Sequence, residues 1–122
     1  MKVISIDVDF NRKIKHPGDI TVRRNERVAW NCDDFDFEIV FDQQHNPGLN
    51  PEHPFRTAPP NPPPGHVTGN AGDFHVRQVR ARAGAATIPD GTRYKYNIII
   101  KNPGSTVVVD HLDPDLIVEG DK

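Results

Sequence analysis

Residues 34–42 read DFDFEIVFD. Phe35, Phe37, Ile39 and Phe41 alternate with Asp36, Glu38 and Asp42. Successive side chains of an extended chain point to opposite faces, so this stretch is a strand with one apolar face and one acidic face. A helix would scatter the same residues around its circumference.

The pattern repeats on both sides of that strand. Ile4, Ile6, Val8 and Phe10 alternate with Ser5, Asp7 and Asp9. Ile20 and Val22 alternate with Thr21 and Arg23, and Asn25-Glu26 offers a tight turn into Val28 and Trp30. Tyr94, Tyr96, Ile98 and Ile100 alternate with Arg93, Lys95 and Asn97. A turn at Asn102-Pro-Gly-Ser105 leads to the β-branched run Thr106 to Val109, and Leu116 to Val118 closes the chain after Asp113-Pro114. Phe74 to Ala83 fits a strand through Phe74 and Val76, with Val79 out of phase unless a bulge intervenes. No stretch has helical period. One greasy and one polar face per strand is the pattern of antiparallel sheets covered on one side. The expected fold is all-β: an antiparallel two-sheet Greek-key β-sandwich formed by a single domain over residues 1–122.

The chain has 122 residues, 12 prolines, 9 glycines and a formal charge of −2. No global field draws it to nucleic acid or anionic lipid. Arg77, Arg80 and Arg82, with Arg12, Lys13, Lys15, Arg23, Arg24 and Arg27, could form a local basic strip, but no aromatics stand between the arginines to stack bases. A solvated edge, where charge discourages strand pairing, is the expected role. No apolar run is long enough to span a membrane. Asp7 and Asp9 interrupt the amino-terminal apolar residues, and Cys32 is the single cysteine. A cytoplasmic protein without an intrachain disulfide is expected.

Residues 42–73 differ in kind. Eight prolines and four glycines break any pattern, and Pro59-Pro-Asn-Pro-Pro-Pro64 favours polyproline II. A loop this long in a compact domain is expected to be functional, disordered, or pinned to the sandwich by Leu49 and Phe55.

Residues 16–34 (HPGDITVRRNERVAWNCDD), followed by Phe37-Glu-Ile-Val-Phe41, resemble the first half of a cupredoxin domain. Gly91-Thr-Arg-Tyr-Lys-Tyr-Asn-Ile98 is similar to the strand that precedes that family's copper loop. The resemblance covers about residues 16–41 and 91–118. It implies a copper site of two imidazoles, a thiolate and a weak axial ligand, and those residues do not carry over. Phe37 stands where the first histidine would be, Ile98 where the cysteine would be, and Met1 is the single methionine. What the resemblance implies here is a cupredoxin-like scaffold without cofactor, used for binding.

His45, His53, His66 and His111, with Asp110 and Asp113, are the candidate metal ligands, but no His-x-His or His-x3-His pair occurs among them. The run Asp110-His-Leu-Asp-Pro-Asp115 could hold a divalent cation through its oxygens, but Asp113-Pro114-Asp115 reads better as a turn into the last strand. Cys32 precedes Asp33 and Asp34, which weaken a thiolate. No nucleotide, serine-hydrolase or zinc-peptidase signature is present, and the chain is expected not to be an enzyme. A protein partner is expected to meet the loop through Phe55, Arg56, Pro59, Pro60, Pro62, Pro63, Pro64 and His66. The alternatives are a non-standard histidine/aspartate metal or redox site, and a structural subunit of an oligomer.

Overall fold

The computed structural model describes residues 2–15, 18–49, 52–55, 65–79 and 91–119. Ten strands are present among the described residues: β1 (Lys2–Ser5), β2 (Ile20–Arg23), β3 (Arg27–Asn31), β4 (Asp36–Val40), β5 (His66–Gly69), β6 (Phe74–Gln78), β7 (Thr92–Lys95), β8 (Asn97–Lys101), β9 (Val108–Leu112) and β10 (Asp115–Glu119). They form three sheets, ordered β1-β3-β6, β2-β10-β7 and β5-β4-β8-β9. No helix is found among the described residues.

Not all pairings are antiparallel. β1 runs parallel to β3, and β10 runs parallel to β2. A parallel pair cannot be closed by a tight turn, so each of these pairs is joined through strands of other sheets. The remaining ladders are antiparallel. The expected strand Tyr94–Ile100 is divided at Tyr96, whose N–H leaves the ladder geometry and bonds Pro114 O at 3.1 Å. Its two halves, β7 and β8, pair with β10 and β9, so one long hairpin runs through two sheets.

Buried residues from all three sheets meet in one core cluster that includes Ile4, Val22, Val28, Ile39, Ile98, Leu116 and Val118. Its aromatic centre is Trp30. The indole meets Phe41, Phe55 and Tyr96 edge-on, at centroid distances of 6.5, 5.7 and 6.3 Å. Phe41 stacks on Tyr96 at 4.9 Å. Edge-to-face pairs of this kind add attraction beyond the area they bury. Tyr96 Oη and Trp30 Nε1 are buried without a hydrogen bond of sound geometry. Burial pushes the Tyr96 phenol far above the tyrosine range, with the Trp30 N–H opposing weakly.

Four local expectations are corrected. Phe10 does not share the core face of Ile4 and Ile6. It is 95% exposed at a hairpin tip, because Asp9 Oδ1 accepts the N–H groups of Asn11 and Lys13 and turns the chain. Phe74 and Val76 point to solvent, while Val79 is buried and bridges Phe55. Val79 shares the parity of His75, so no bulge is needed. Residues 42–73 are not all loop: β5 lies antiparallel to β4, with Ile39 opposite Val67. The short strand expected at Thr106 to Val109 lies instead at Val108–Leu112 (β9), and Asp113-Pro114 turns the chain into β10 as expected.

Of the three expectations for the loop, pinning by Leu49 and Phe55 holds for its described residues. Phe55 is fully buried and Leu49 packs on the core. Asn46 adds a polar pin: its Nδ2 donates to Glu52 O and Lys95 O, and its Oδ1 accepts Lys95 N–H at 2.7 Å. Asp36 pins the opposite end of the four-stranded sheet. Its two oxygens accept the N–H groups of Ala71 (2.9 Å) and Gly104 (2.8 Å).

Those two bonds, Gly104 before Ala71, hold the Asp36 carboxyl below its ordinary 3.8. A carboxyl with a depressed folded-state pKa gives stability that is present above its unfolded pKa and lost as pH falls through the folded one. Asp36→Asn is therefore expected to be less stable than wild type at neutral pH, with the gap closing below about pH 4. Urea midpoints for both proteins across that range check this.

Candidate functional site

The six metal candidates are split among separate surroundings. Asp110 lies toward the core side of β9, where Oδ2 accepts Ile14 N–H at 2.8 Å. His53 is 5% exposed, stacked on Phe55, with Nδ1 accepting the Phe55 N–H. Both are structural. The other four lie on or beside the outer face of the four-stranded sheet. His45 Nδ1 and Asp42 Oδ1 are 2.6 Å apart, and His45 Nε2 is 3.7 Å from Asp113 Oδ1. His66 Nδ1 is 3.7 Å from Glu38 Oε1, and Lys101 Nζ is 3.0 Å from Glu38 Oε2. His111, opposite Ile99, is exposed.

These contacts use the imidazoles as hydrogen-bond and ion-pair partners. Asp42 is pushed up by burial, but the backbone and side-chain bonds from His45 outweigh that and leave its carboxyl below the ordinary value. No group of three or more His, Cys, Asp or Glu among the described residues is placed to hold a metal ion. Cys32 is buried, and burial first, then Asp34 and Asp33, lifts its thiol. A protonated buried thiol is a poor nucleophile.

The two positions that the cupredoxin resemblance marks lie on neighbouring strands. Phe37 faces Ile100 across the β4–β8 ladder, and Ile98 faces Ile39. Both belong to the core, at 2% and 0% exposure. The Phe37 ring fills the space where Gly69, its partner on β5, would carry a Cβ.

Of the residues expected to meet a partner, Phe55 is corrected: it is a core residue with no exposed surface. His66 is half-exposed on β5, paired with Val40. Arg56, Pro59, Pro60, Pro62, Pro63 and Pro64 lie outside the described residues, as do Arg80 and Arg82 of the basic strip. Arg24 of that strip is buried.

The sheet β1-β3-β6 supplies a surface that sequence reading did not single out. In its register Val3, Ala29 and Val76 form one row, and Ser5, Asn31 and Phe74 the next. Ile4 and Trp30 point inward, so these two rows point outward. Val3, Val76 and Phe74 are 47%, 43% and 61% exposed. Between them Ala29 is sealed at 0%. The signal was present in the sequence: the alternation from Phe74 to Val79 has apolar residues on both phases, and only one phase can face inward.

Neither family models nor curated proteins return a match to this chain. The residues define an all-β domain of mixed parallel and antiparallel sheets, with a sealed aromatic core. No helix of the described residues is long and apolar enough to cross a membrane.

Proposed function

We propose that this chain is a non-catalytic, cupredoxin-like protein-binding module without type 1 copper ligands. The carrying observation is that three exposed apolar side chains, Val3, Val76 and Phe74, share the outward face of the β1-β3-β6 sheet. Apolar surface gathered on one face marks a place where another molecule excludes water. The Greek-key sandwich reading is supported by the terminal strand β10 running parallel to β2 and by a single core fed from all three sheets. Hydrocarbon at Phe37 and Ile98 supports a scaffold whose metal pocket has become packing.

The proline-rich residues 56–64, which the sequence reading expects to meet a partner, are the second part of the proposal. In the chain they stand between Phe55, which is buried, and Gly65, whose carbonyl accepts Phe41 N–H at 2.8 Å. Affinity capture with tagged protein tests both parts. A partner held by wild type is expected to be lost with Val76→Asp or Phe74→Asp and weakened by deleting 56–64. Equal capture by all four proteins, or none by wild type, overturns the reading.

A histidine/aspartate metal site is the second reading, favoured by His45 standing between two carboxylates, Asp42 at 2.6 Å from Nδ1 and Asp113 at 3.7 Å from Nε2. Stoichiometric zinc or copper in tag-free protein after dialysis would support it.

A further inference from the structure

We infer that the outer face of the β1-β3-β6 sheet is the contact between two copies of this chain, packed face to face with their strands antiparallel. The inference rests on the protein-binding reading and names the partner. Two other exposed apolar features are weaker. Phe10 is a lone ring on a hairpin tip, and Val107 and Val108 are two valines beside the turn between β8 and β9.

What selects a second copy is the charge at the two ends of the apolar rows. β3 runs from Arg27 to Asn31, and Arg27 shares the outward phase of Ala29. Arg27 is exposed. Glu26 turns back there to accept the Arg23 N–H. At the Asn31 end the chain continues into Cys32, Asp33 and Asp34. Asp73 precedes Phe74 at the same end, because Phe74 pairs with Asn31 and Gly72 N–H bonds Cys32 O at 2.7 Å. Asp7 lies beside Asp33 and Asp34, with Lys15 as the one cation in that group. One end of the face is therefore basic and the other acidic, with hydrocarbon between.

A two-fold axis lying between two such faces can set the strands parallel or antiparallel. Parallel packing puts Arg27 on Arg27 and carboxylates on carboxylates. Antiparallel packing puts each Arg27 opposite the partner copy's acidic end, while Val3, Val76 and Phe74 meet their own kind. A self-complementary patch of this sort is what an isologous dimer requires.

Size sets the strength. Three strands at ~4.8 Å spacing and five residues at ~3.3 Å give a flat area on the order of 240 Å². That is well below the ~800 Å² per partner of a stable complex, so the pair is a weak and reversible one.

Sedimentation equilibrium of the full chain over a wide concentration range tests this. Wild type is expected to be monomeric when dilute and dimeric when concentrated, with the dimer weakening as salt rises. Val76→Asp is expected to raise the dissociation constant about tenfold or more. Arg27→Glu alone, or Asp33→Lys with Asp34→Lys, is expected to raise it several-fold. The triple variant carrying all three changes is expected to recover, as is a mixture of the two charge variants, because antiparallel packing restores opposite charges in both. Far-UV spectra confirm that each variant is folded. A wild type that stays monomeric throughout, or a dimer untouched by Val76→Asp, overturns self-association. Loss of Arg27→Glu pairing without recovery in the triple variant overturns the antiparallel arrangement. A monomeric wild type that still captures another protein through Val76 and Phe74 leaves the protein-binding reading standing and sinks only the choice of partner.

Discussion

Trp30→Ala is expected to leave the domain at the margin of folding. The indole has no exposed surface and touches three other buried rings, so truncation removes its transfer energy and leaves a cavity bounded by Phe41, Phe55 and Tyr96. Such losses run about 3–5 kcal/mol, against about 5–15 kcal/mol for a whole domain. With a urea slope of about 1–3 kcal/mol/M, the midpoint should fall by about 2 M. Phe10→Ala supplies the control. Both are large aromatic residues on an expected apolar strand face, yet Phe10 is almost wholly exposed, and its replacement should move stability by less than about 0.5 kcal/mol. Similar costs for the two would mean that the core has been placed wrongly.

Gly69→Ala is expected to destabilise by about 1–3 kcal/mol, although it adds one methyl group on a half-buried strand residue. The new Cβ would fall within the Phe37 ring, which is itself 2% exposed and has no free volume to enter. The clash belongs to the pair. In a Phe37→Ala background the ring is gone, and the same methyl should cost much less or partly refill the hole. Equilibrium unfolding of the four proteins gives a coupling of about 1 kcal/mol or more if the ring lies over the glycine. Additive costs would contradict the β4–β5 register. Gly65 makes a parallel case with a harder neighbour. A Cβ there would lie 2.6 Å from the Phe41 carbonyl oxygen, which is backbone and cannot rotate away.

What the sequence made legible followed from side-chain period. Phe37, Ile39 and Phe41 sit inside as the alternation required, and Asn25 takes the left-handed turn (φ 72°) between β2 and β3. Alternation fixes which residues share a face. It does not fix which face is inward when both phases carry apolar residues, and this is why Phe74 and Val76 were placed inside. It also says nothing about partners: the parallel β1–β3 and β2–β10 pairs join residues distant in sequence and are decided by packing. β5 was hidden because His66-Val-Thr-Gly69 offers one buried apolar side chain, Val67, after a proline run. Phe10 was misplaced because the turn chemistry of Asp9 overrides the alternation by two residues.

The candidate site was less legible than the fold. The contact between Asp42 and His45 lies three residues apart in the chain, but nothing in that spacing announces Asp113 on the far side of the imidazole. Asn46 looked like one polar residue among many in a long loop, and only the fold brings Lys95 to it. The apolar face of the three-stranded sheet needs residues 3, 29, 74 and 76 in register, which no local pattern supplies.

Hydroxyl-radical labelling read by mass spectrometry addresses the binding face directly, because aromatic rings report their own exposure. In dilute solution Phe74 and Phe10 should label while Trp30 and Tyr96 stay untouched. In concentrated solution, or with a captured partner bound, Phe74 should become protected and Phe10 should not. Phe74 remaining as reactive as Phe10 under every condition, or Trp30 labelling in the native protein, would contradict a sealed core that presents one sheet to another protein.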